Sequence, residues 1–323
     1  MTDACNNCGG DALSAILEAP AFDPPARQYT LARCRDCGVV TTTGAAADSV
    51  VDNYTPDYYG SGERKFNPLV EWAVDRGARA QAAAITRAWR GDRQAATGRD
   101  EPAVLDVGCG RGVLLRAFRE TGATVRGLER PEFPLDPATR DVVETAPLSD
   151  TVFAGQRFDI VVLRHVLEHL DAQDRVLDTV TARLAPGGLL ILDVPNFAGL
   201  QRALFAQHWF HLDLPRHLVH LERDWLCERL AARGYTLLGE SHTDLLQNIY
   251  GFIQSALNAL FPGPPNAYYR LLKYGSRRSI PQLLCWSVPA ALLAVPAVLE
   301  SAAGALLRRG ATVSLVARRG GET

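Results

Sequence analysis

Hydrophobic and polar positions change rhythm along the chain, and from residue 102 onward short continuous apolar runs alternate with stretches of helical spacing. Segments 103–107, 124–128, 141–143, 158–163 and 189–194 read as successive strands, the last after a turn at Pro186-Gly187-Gly188. Segment 112–120 carries Val113, Leu114, Ala117 and Phe118 on one face, with Gly122 placed as a C-cap, and reads as a helix. Segments 171–184 and 223–233 read as further helices, and 235–241 and 312–317 as late strands. Alternation of this kind, with strands apolar throughout, predicts a mostly parallel sheet covered on both faces: an α/β, doubly wound, Rossmann-like architecture. Upstream, 46–100 forms a linker. It holds a tyrosine-rich turn (Tyr54, Tyr58, Tyr59, Gly60), a helix over about 66–90, and a loose polar stretch, GDRQAATGRDEP, that reads as a boundary.

One region breaks the pattern. No acidic residue occurs from Leu245 to Leu299, and Ser279 to Leu299 carries no charge at all. This apolar, helical insertion, 245–308, separates the last two strands, leaving 309–323 as the final strand and tail. The stretch IPQLLCWSVPAALLAVPAVL has the length of a membrane span. A single crossing conflicts with topology, because the following strand must rejoin the sheet that the chain left. A spanning hairpin would put Arg270, Lys273, Arg277 and Arg278 on the far side, against the positive-inside tendency, and Pro289 and Pro296 interrupt an ideal helix. Two readings stay open: peripheral contact with the inner face of the cell membrane, which is favoured, or a helical subdomain packed on itself or on a second subunit.

The 323 residues suffice for a core without disulfide staples, and a net charge of −2 offers no electrostatic case for nucleic-acid binding. Seven cysteines is an odd number, and four stand as Cys5-x-x-Cys8 and Cys34-x-x-Cys37. Each pair can grip one side of a tetrahedral Zn²⁺, and Gly9 and Gly38 suit the tight turn after each pair. Four thiolates close the coordination shell, so 1–45 is expected to be a structural zinc ribbon. It lacks the basic, aromatic-studded surface of a nucleic-acid binder. The thiols of Cys109, Cys227 and Cys285 lie in apolar settings and read as inert. The N-terminus MTDACNNCGG has neither a basic nor an apolar leader region, and the cysteine pattern fits a reducing compartment, so the expected location is cytoplasmic.

The chemical signal is Val104-Leu105-Asp106-Val107-Gly108-Cys109-Gly110-Arg111-Gly112. A strand ends, glycines turn, and a helix begins, so a ligand can approach the backbone and the helix N–H groups. Asp106 just before the turn would repel a pyrophosphate but suits an ammonium or sulfonium group. Val113 occupies the place where a dinucleotide fingerprint needs glycine, which disfavours NAD. Glu129, after the second strand, can accept both hydroxyls of a ribose.

With FDIVVLRHVLEHL, LAPGGLLILDVPN and LDLPRHLVHL, and with CNNCGG…CRDCGVV, YYG and GLER, the chain resembles the class I S-adenosylmethionine-dependent methyltransferases. It is most similar to the bacterial branch with an N-terminal zinc ribbon. The resemblance implies a seven-stranded sheet whose last strand is antiparallel, with the methyltransferase core over 101–244. It implies that Asp106, Gly108 and Gly110 hold the methionine part of S-adenosylmethionine, that Glu129 holds the ribose, and that Leu148 lies near the adenine. Cys109 and Arg164 complete the expected cofactor set. Pro131, Pro134 and Pro137 break the helix usual between the second and third strands.

Six of the seven histidines fall between 165 and 220. His165, at the end of the fourth strand, and His217 are the candidate bases. Glu168 and His169 begin or precede the next helix and read as capping or packing residues at least as readily as site residues. Asn196, Trp209, His211 and Arg216 are the candidate substrate residues, on a segment that can fold over the site. His208/His211 and His217/His220 form two H-x-x-H pairs, which raises a second metal site. The expected acceptor is a small molecule, a glycan or a lipid-linked intermediate. The competing reading is an inactive adaptor that keeps the fold for binding alone.

Overall fold

The computed structural model describes residues 4–22, 27–45, 68–97, 100–131, 133, 135–261, 263–274 and 279–321. Tyr54, Tyr58, Tyr59, Gly60, Pro134, Arg277 and Arg278 lie outside the described residues.

In chain order come β1 (Leu13–Pro20), β2 (Gln28–Cys34), β3 (Val40–Thr42) and helix α1 (Pro68–Thr97). Then follow β4 (Ala103–Val107), α2 (Val113–Glu120), β5 (Thr124–Glu129), β6 (Val143–Thr145) and β7 (Phe158–Arg164). After a single helical turn at Leu167–His169 come α3 (Gln173–Arg183), β8 (Leu184–Pro195), α4 (Leu200–Phe205), β9 (Val219–His220), α5 (Arg223–Ala232) and β10 (Tyr235–Ser241). The last elements are α6 (Leu245–Leu260), α7 (Ala267–Tyr274), α8 (Ile280–Leu292), α9 (Ala294–Leu306) and β11 (Thr312–Arg319).

Among the described residues the main sheet has seven strands in the order β10-β11-β8-β7-β4-β5-β6. β4, β5, β6, β7 and β8 run parallel, and β11 is antiparallel to both neighbours. Leu105, Val161, Leu163, Leu190, Leu192 and Leu315 fill one layer of the core, while Val104, Ile160, Val162, Leu189 and Ile191 fill the other. Each such side chain contributes about 1.5–3 kcal/mol by leaving water. Both faces are apolar, which is why these strands show no hydrophobic-polar alternation.

Three boundaries differ from the sequence reading. α1 runs through most of the polar stretch read as a boundary, because Asp, Arg, Gln and Ala are all tolerated in a helix and only Gly91 weakens it. The third sheet strand is Val143–Thr145 rather than 141–143, because the parallel register sets Val143 beside Gly127 and leaves Asp141 and Val142 in the preceding turn. β8 starts at Leu184, paired with Phe158. The Pro186-Gly187-Gly188 segment lies inside it as an irregularity, with Gly187 at φ 68°.

The N-terminal ribbon is a four-stranded sheet, β1-β2-β3-β9, so its last strand comes from the segment 101–244. Val40 pairs with His220 and Thr41 with Val219. The Asn6 amide donates to the carbonyls of Thr42 (3.0 Å) and Leu218 (3.1 Å). Asn7 both donates to the Asp174 carboxylate (2.9 Å) and accepts from the Asp174 backbone N–H (3.0 Å), which caps α3. Trp225 and Arg229 of α5 donate to the Cys37 carbonyl.

The insertion, α6 to α9, contributes Phe252, Ala256 and Ala297 to a core shared with Phe205 and Trp209 and with Ala19, Leu31 and Val40 of the ribbon. Among the described residues there, no single helix is long and apolar enough to cross a membrane. α8 and α9 pass that test only as a pair, bent by 48°.

Candidate functional site

The site begins where β4 ends. Gly108, Gly110 and Gly112 all lie in the left-handed region, at φ 69°, 54° and 67°. The loop is anchored by Gly108 and Cys109, whose N–H groups donate to the Leu128 carbonyl at 2.7 and 3.2 Å. A Cβ on Gly108 would lie 2.3 Å from Val166 Cγ2, so the loop and the turn after β7 are in direct contact. No side chain caps the N-terminus of α2 among the described residues.

Two carboxylates bracket this loop. Glu129 Oε2 accepts the Gly110 N–H at 2.6 Å, and Oε1 accepts the Arg130 N–H at 2.9 Å. Asp106 is buried behind the loop. Desolvation pushes its carboxyl up to about 7, against the pull of Arg164 and reinforced by Glu129 and Asp193. A buried carboxyl of this kind is complementary to a cation, and the left-handed glycines leave room for a ligand against the backbone. S-adenosylmethionine, with its sulfonium and ammonium groups, fits this donor set and a pyrophosphate does not.

Arg164 is held by Asp193, Nε to Oδ2 at 2.7 Å, across the β7–β8 register that pairs the two residues. Gln81 of α1 donates to the same Asp193 oxygen at 3.1 Å. Glu71, also on α1, pairs with Arg111 in the glycine loop at 3.0 Å. Sequence reasoning missed Gln81, Glu71 and Asp193. The one available signal was a lone acid in LLILDVP and a lone arginine in IVVLR at matching strand ends. Cys109 is buried against Gly127, and burial, then Asp106 and Glu129, push its thiol far up, so it contributes backbone and bulk rather than sulfur chemistry. Leu148 is half-buried at the edge of the core.

His165 has a left-handed backbone (φ 53°), and its N–H donates to the Asp193 carbonyl at 2.8 Å. Burial alone would lower its imidazole, but Glu168, 3.5 Å away, reverses the sign and holds it above the usual range. His217 is buried. Its Nδ1 faces the His211 carbonyl at 3.0 Å, and burial, then His169, hold it well below the usual range.

The substrate candidates point inward. Asn196 is 1% exposed; its amide donates to the Gly310 carbonyl (3.1 Å) and its oxygen accepts from Ala198 and Arg223. Trp209 packs in the core between ribbon and insertion. His211 sits against Gly251 of α6 with Nε2 3.3 Å from the Gln247 carbonyl, and burial lowers its imidazole to about 4. Arg216 is paired with Asp213 (Nε to Oδ1, 2.9 Å) and stacked over Phe22, 4.6 Å from the ring centre.

The H-x-x-H pairs do not form a metal cluster among the described residues. His220 Nε2 meets the Thr42 hydroxyl at 3.0 Å instead, which ties β9 to the ribbon.

The four ribbon cysteines do converge. Their sulfurs lie within 4.8 Å of one another, with Cys5–Cys37 and Cys8–Cys34 each at 3.6 Å. A tetrahedral ion with bonds of ~2.3 Å to sulfur places its ligands ~3.8 Å apart. Gly9 and Gly38 adopt φ 74° and 79°, and their N–H groups donate to the carbonyls of Cys5 and Cys34, so both turns have the same shape. Burial pushes the Cys5 thiol up and the Cys8 thiol to about 11, so charge on these sulfurs needs a cation among them.

Residues 78–240, just over half of the chain, match the family model described as a methyltransferase domain. The chain belongs to this methyltransferase-domain family. A ubiquinone biosynthesis O-methyltransferase of Haemophilus ducreyi is 32% identical over 106 residues, 29% of this chain and 45% of that protein. Its counterpart in Shewanella halifaxensis is 33% identical over 103 residues, 29% and 43% of the two chains. The chain spans about half the length of the curated relatives it matches. Among solved structures, the 1,6-didemethyltoxoflavin-N1-methyltransferase of Burkholderia thailandensis covers 94% of this chain and 99% of its own, at 17% identity and a TM-score of 0.45.

Proposed function

We propose that this chain transfers a methyl group from S-adenosylmethionine to a small-molecule acceptor, and that its four ribbon cysteines hold a structural Zn²⁺. The observation that carries the first reading is the pair of buried carboxylates, Asp106 and Glu129, bracketing a left-handed glycine loop. When bound, the cofactor supplies an electrophilic methyl on a sulfonium, and the acceptor attacks in line. Asp106 stabilises the cationic end and Glu129 orients the ribose. His165, at the strand end beside the loop, accepts the acceptor's proton, and Glu168 strengthens it as a base. The word O-methyltransferase in the names of the curated relatives supports a hydroxyl acceptor.

The test is calorimetric titration with S-adenosylmethionine between pH 6 and pH 8. Asp106 must be ionised to hold a cation, and its carboxyl sits at about 7 in the free protein. Affinity therefore rises with pH, by about tenfold over this range, and levels off above. Asp106→Asn binds weakly and flattens the profile. Absence of binding at every pH would instead support the inactive adaptor.

A lipid-surface role is favoured by one specific feature. α8 and α9 expose Leu284, Val288, Leu292, Val295 and Leu299, each more than 60% accessible, with no charged residue between Ser279 and Leu299. A cleft of about 480 Å³, lined by Pro20, Leu257, Phe261 and Trp286 among others, opens beside α6 and α8. We infer that this face rests on the membrane interface. The full chain should co-float with vesicles containing anionic lipid, and Val288→Asp with Leu292→Asp should stay in the dense fractions. A wild-type chain that never floats would remove this reading.

A further inference from the structure

The segment between β7 and α3 carries the proposed base, and its parts are held by different regions of the molecule. At its start the His165 N–H donates to the Asp193 carbonyl at 2.8 Å, so the main sheet sets His165. In its middle the Glu168 carbonyl accepts the Leu218 N–H at 2.9 Å, and at its end the Ala172 N–H donates to the Asn6 carbonyl at 2.7 Å. Leu218 directly precedes β9, which belongs to the ribbon's sheet, and Asn6 stands between the ribbon cysteines Cys5 and Cys8. The 3.5 Å from His165 Nδ1 to Glu168 Oε1 is therefore the distance between a residue set by the main sheet and a residue set by the ribbon.

Both ribbon ties meet at Asn6. Its side-chain amide donates to the Leu218 carbonyl (3.1 Å), the Thr42 carbonyl (3.0 Å) and the Thr41 hydroxyl (2.8 Å). Its backbone N–H reaches the same hydroxyl at 3.2 Å, and that buried hydroxyl donates onward to the Leu218 carbonyl at 3.3 Å. Two amide hydrogens serve three acceptors only by sharing, so the cluster has no spare donor. Each buried carbonyl left unmet costs about 1–3 kcal/mol. At the other tie, Ala172 holds φ 49°, a left-handed conformation that costs a residue with a side chain ~1–2 kcal/mol. A segment in that shape persists because its surroundings hold it, and here the Asn6 carbonyl is part of what holds it.

We propose that Asn6 is a positioning residue for methyl transfer. Through Leu218 and Ala172 it keeps Glu168 at working distance from His165, so the cysteine ribbon shapes the proton-accepting side of the site. The inference rests on the reading of His165 as the base. The charged groups that act on this imidazole are Glu168 and Asp193, which raise it, and Arg164, which lowers it. Asp193 and Arg164 are strand residues of the main sheet, so Glu168 is the member of the set that the ribbon can move.

The test follows the His165 imidazole by NMR titration of the full, zinc-loaded chain, with His165→Ala identifying its signal. Asn6→Ala lets the Glu168 carboxylate drift away, so the proton affinity of His165 should fall by roughly threefold or more. Zinc content should stay at the wild-type value, and affinity for S-adenosylmethionine should stay within about threefold of wild type. Thr41→Val deletes the shared hydroxyl with little change in volume and should shift the titration the same way by less. It decides the question if Asn6→Ala does not fold. Asn7→Ala is the control: it removes the bonds to Asp174 and should lower Tm without moving His165. An unmoved His165 in the folded Asn6→Ala chain, or in Thr41→Val where Asn6→Ala does not fold, would overturn the proposal. An equal shift in Asn7→Ala would overturn it too. The titration needs no cofactor, so a wild-type chain that binds no S-adenosylmethionine fails the methyltransferase reading separately.

Discussion

Replacing Cys34 by serine, or removing the ribbon's metal with a chelator, will unfold far more than the first 45 residues. The four sulfurs crowd within 4.8 Å of one another, and the binding energy of the proposed metal is folding energy, about 10–16 kcal/mol for structural zinc. Whole domains have only ~5–15 kcal/mol of stability. The ribbon is not a detachable appendage. β9 belongs to its sheet, Asn7 caps α3, and the Cys37 carbonyl receives hydrogen bonds from Trp225 and Arg229. Loss of the metal therefore releases the 213–222 segment and frees the start of α3. The expected result is a drop in Tm of ten degrees or more, with new protease cleavage between residues 205 and 222. Cleavage confined to residues before 46, with an unchanged main transition, would show that the ribbon folds independently.

Gly108→Ala is expected to be the most damaging single change to cofactor binding that leaves the fold in place. The new Cβ would lie 2.3 Å from Val166 Cγ2, and the residue must also hold φ 69°. The loop must move, and with it the Gly110 N–H that meets Glu129. Calorimetry should show affinity for S-adenosylmethionine reduced by a factor on the order of 100 or more, while Tm stays within a few degrees of wild type. The cause can be isolated. Trimming the neighbour as well, in Gly108→Ala with Val166→Ala, removes both clashing methyls and leaves a tight 3.3 Å contact to the Cβ of residue 166 together with the left-handed backbone penalty of ~1–2 kcal/mol. Affinity should then recover to within roughly 5- to 30-fold of wild type. If the double variant binds no better than the single one, contact with Val166 is not what holds the loop.

What could be read from the sequence follows the range of the interaction. The glycine loop and both cysteine pairs are local patterns whose geometry is fixed within a few residues, and both stand where they were expected. The mostly parallel sheet follows from apolar runs that only a doubly covered sheet accommodates, whereas the antiparallel last strand was implied only by the family resemblance. Features requiring distant residues were not legible. Glu168 and His169 read as capping or packing residues because their neighbour His217 is 49 and 48 positions away and reaches them only once β9 joins the ribbon. Asp193 looked like an ordinary strand residue until the β7–β8 register set it beside Arg164. Trp209, His211 and Arg216 have the composition of a lid, yet Trp209, Gly251 and Phe22 show that this segment fills the seam between ribbon and insertion. Aromatic and polar composition alone does not say which way a segment faces.

The position of β11 governs the order in which the molecule can be assembled. This strand lies between β8 and β10, although all four apolar helices of the insertion are made after β10 and before it. During synthesis β8 and β10 are complete while the slot between them stays open. The open edges of both present unpaired backbone groups until the last strand emerges. The insertion is thus a long loop whose closure must precede the final pairing, which carries an entropic cost and delays completion of the sheet. A nascent chain halted before residue 312 holds the cofactor loop, the ribbon and the apolar helices, but its sheet is split in two.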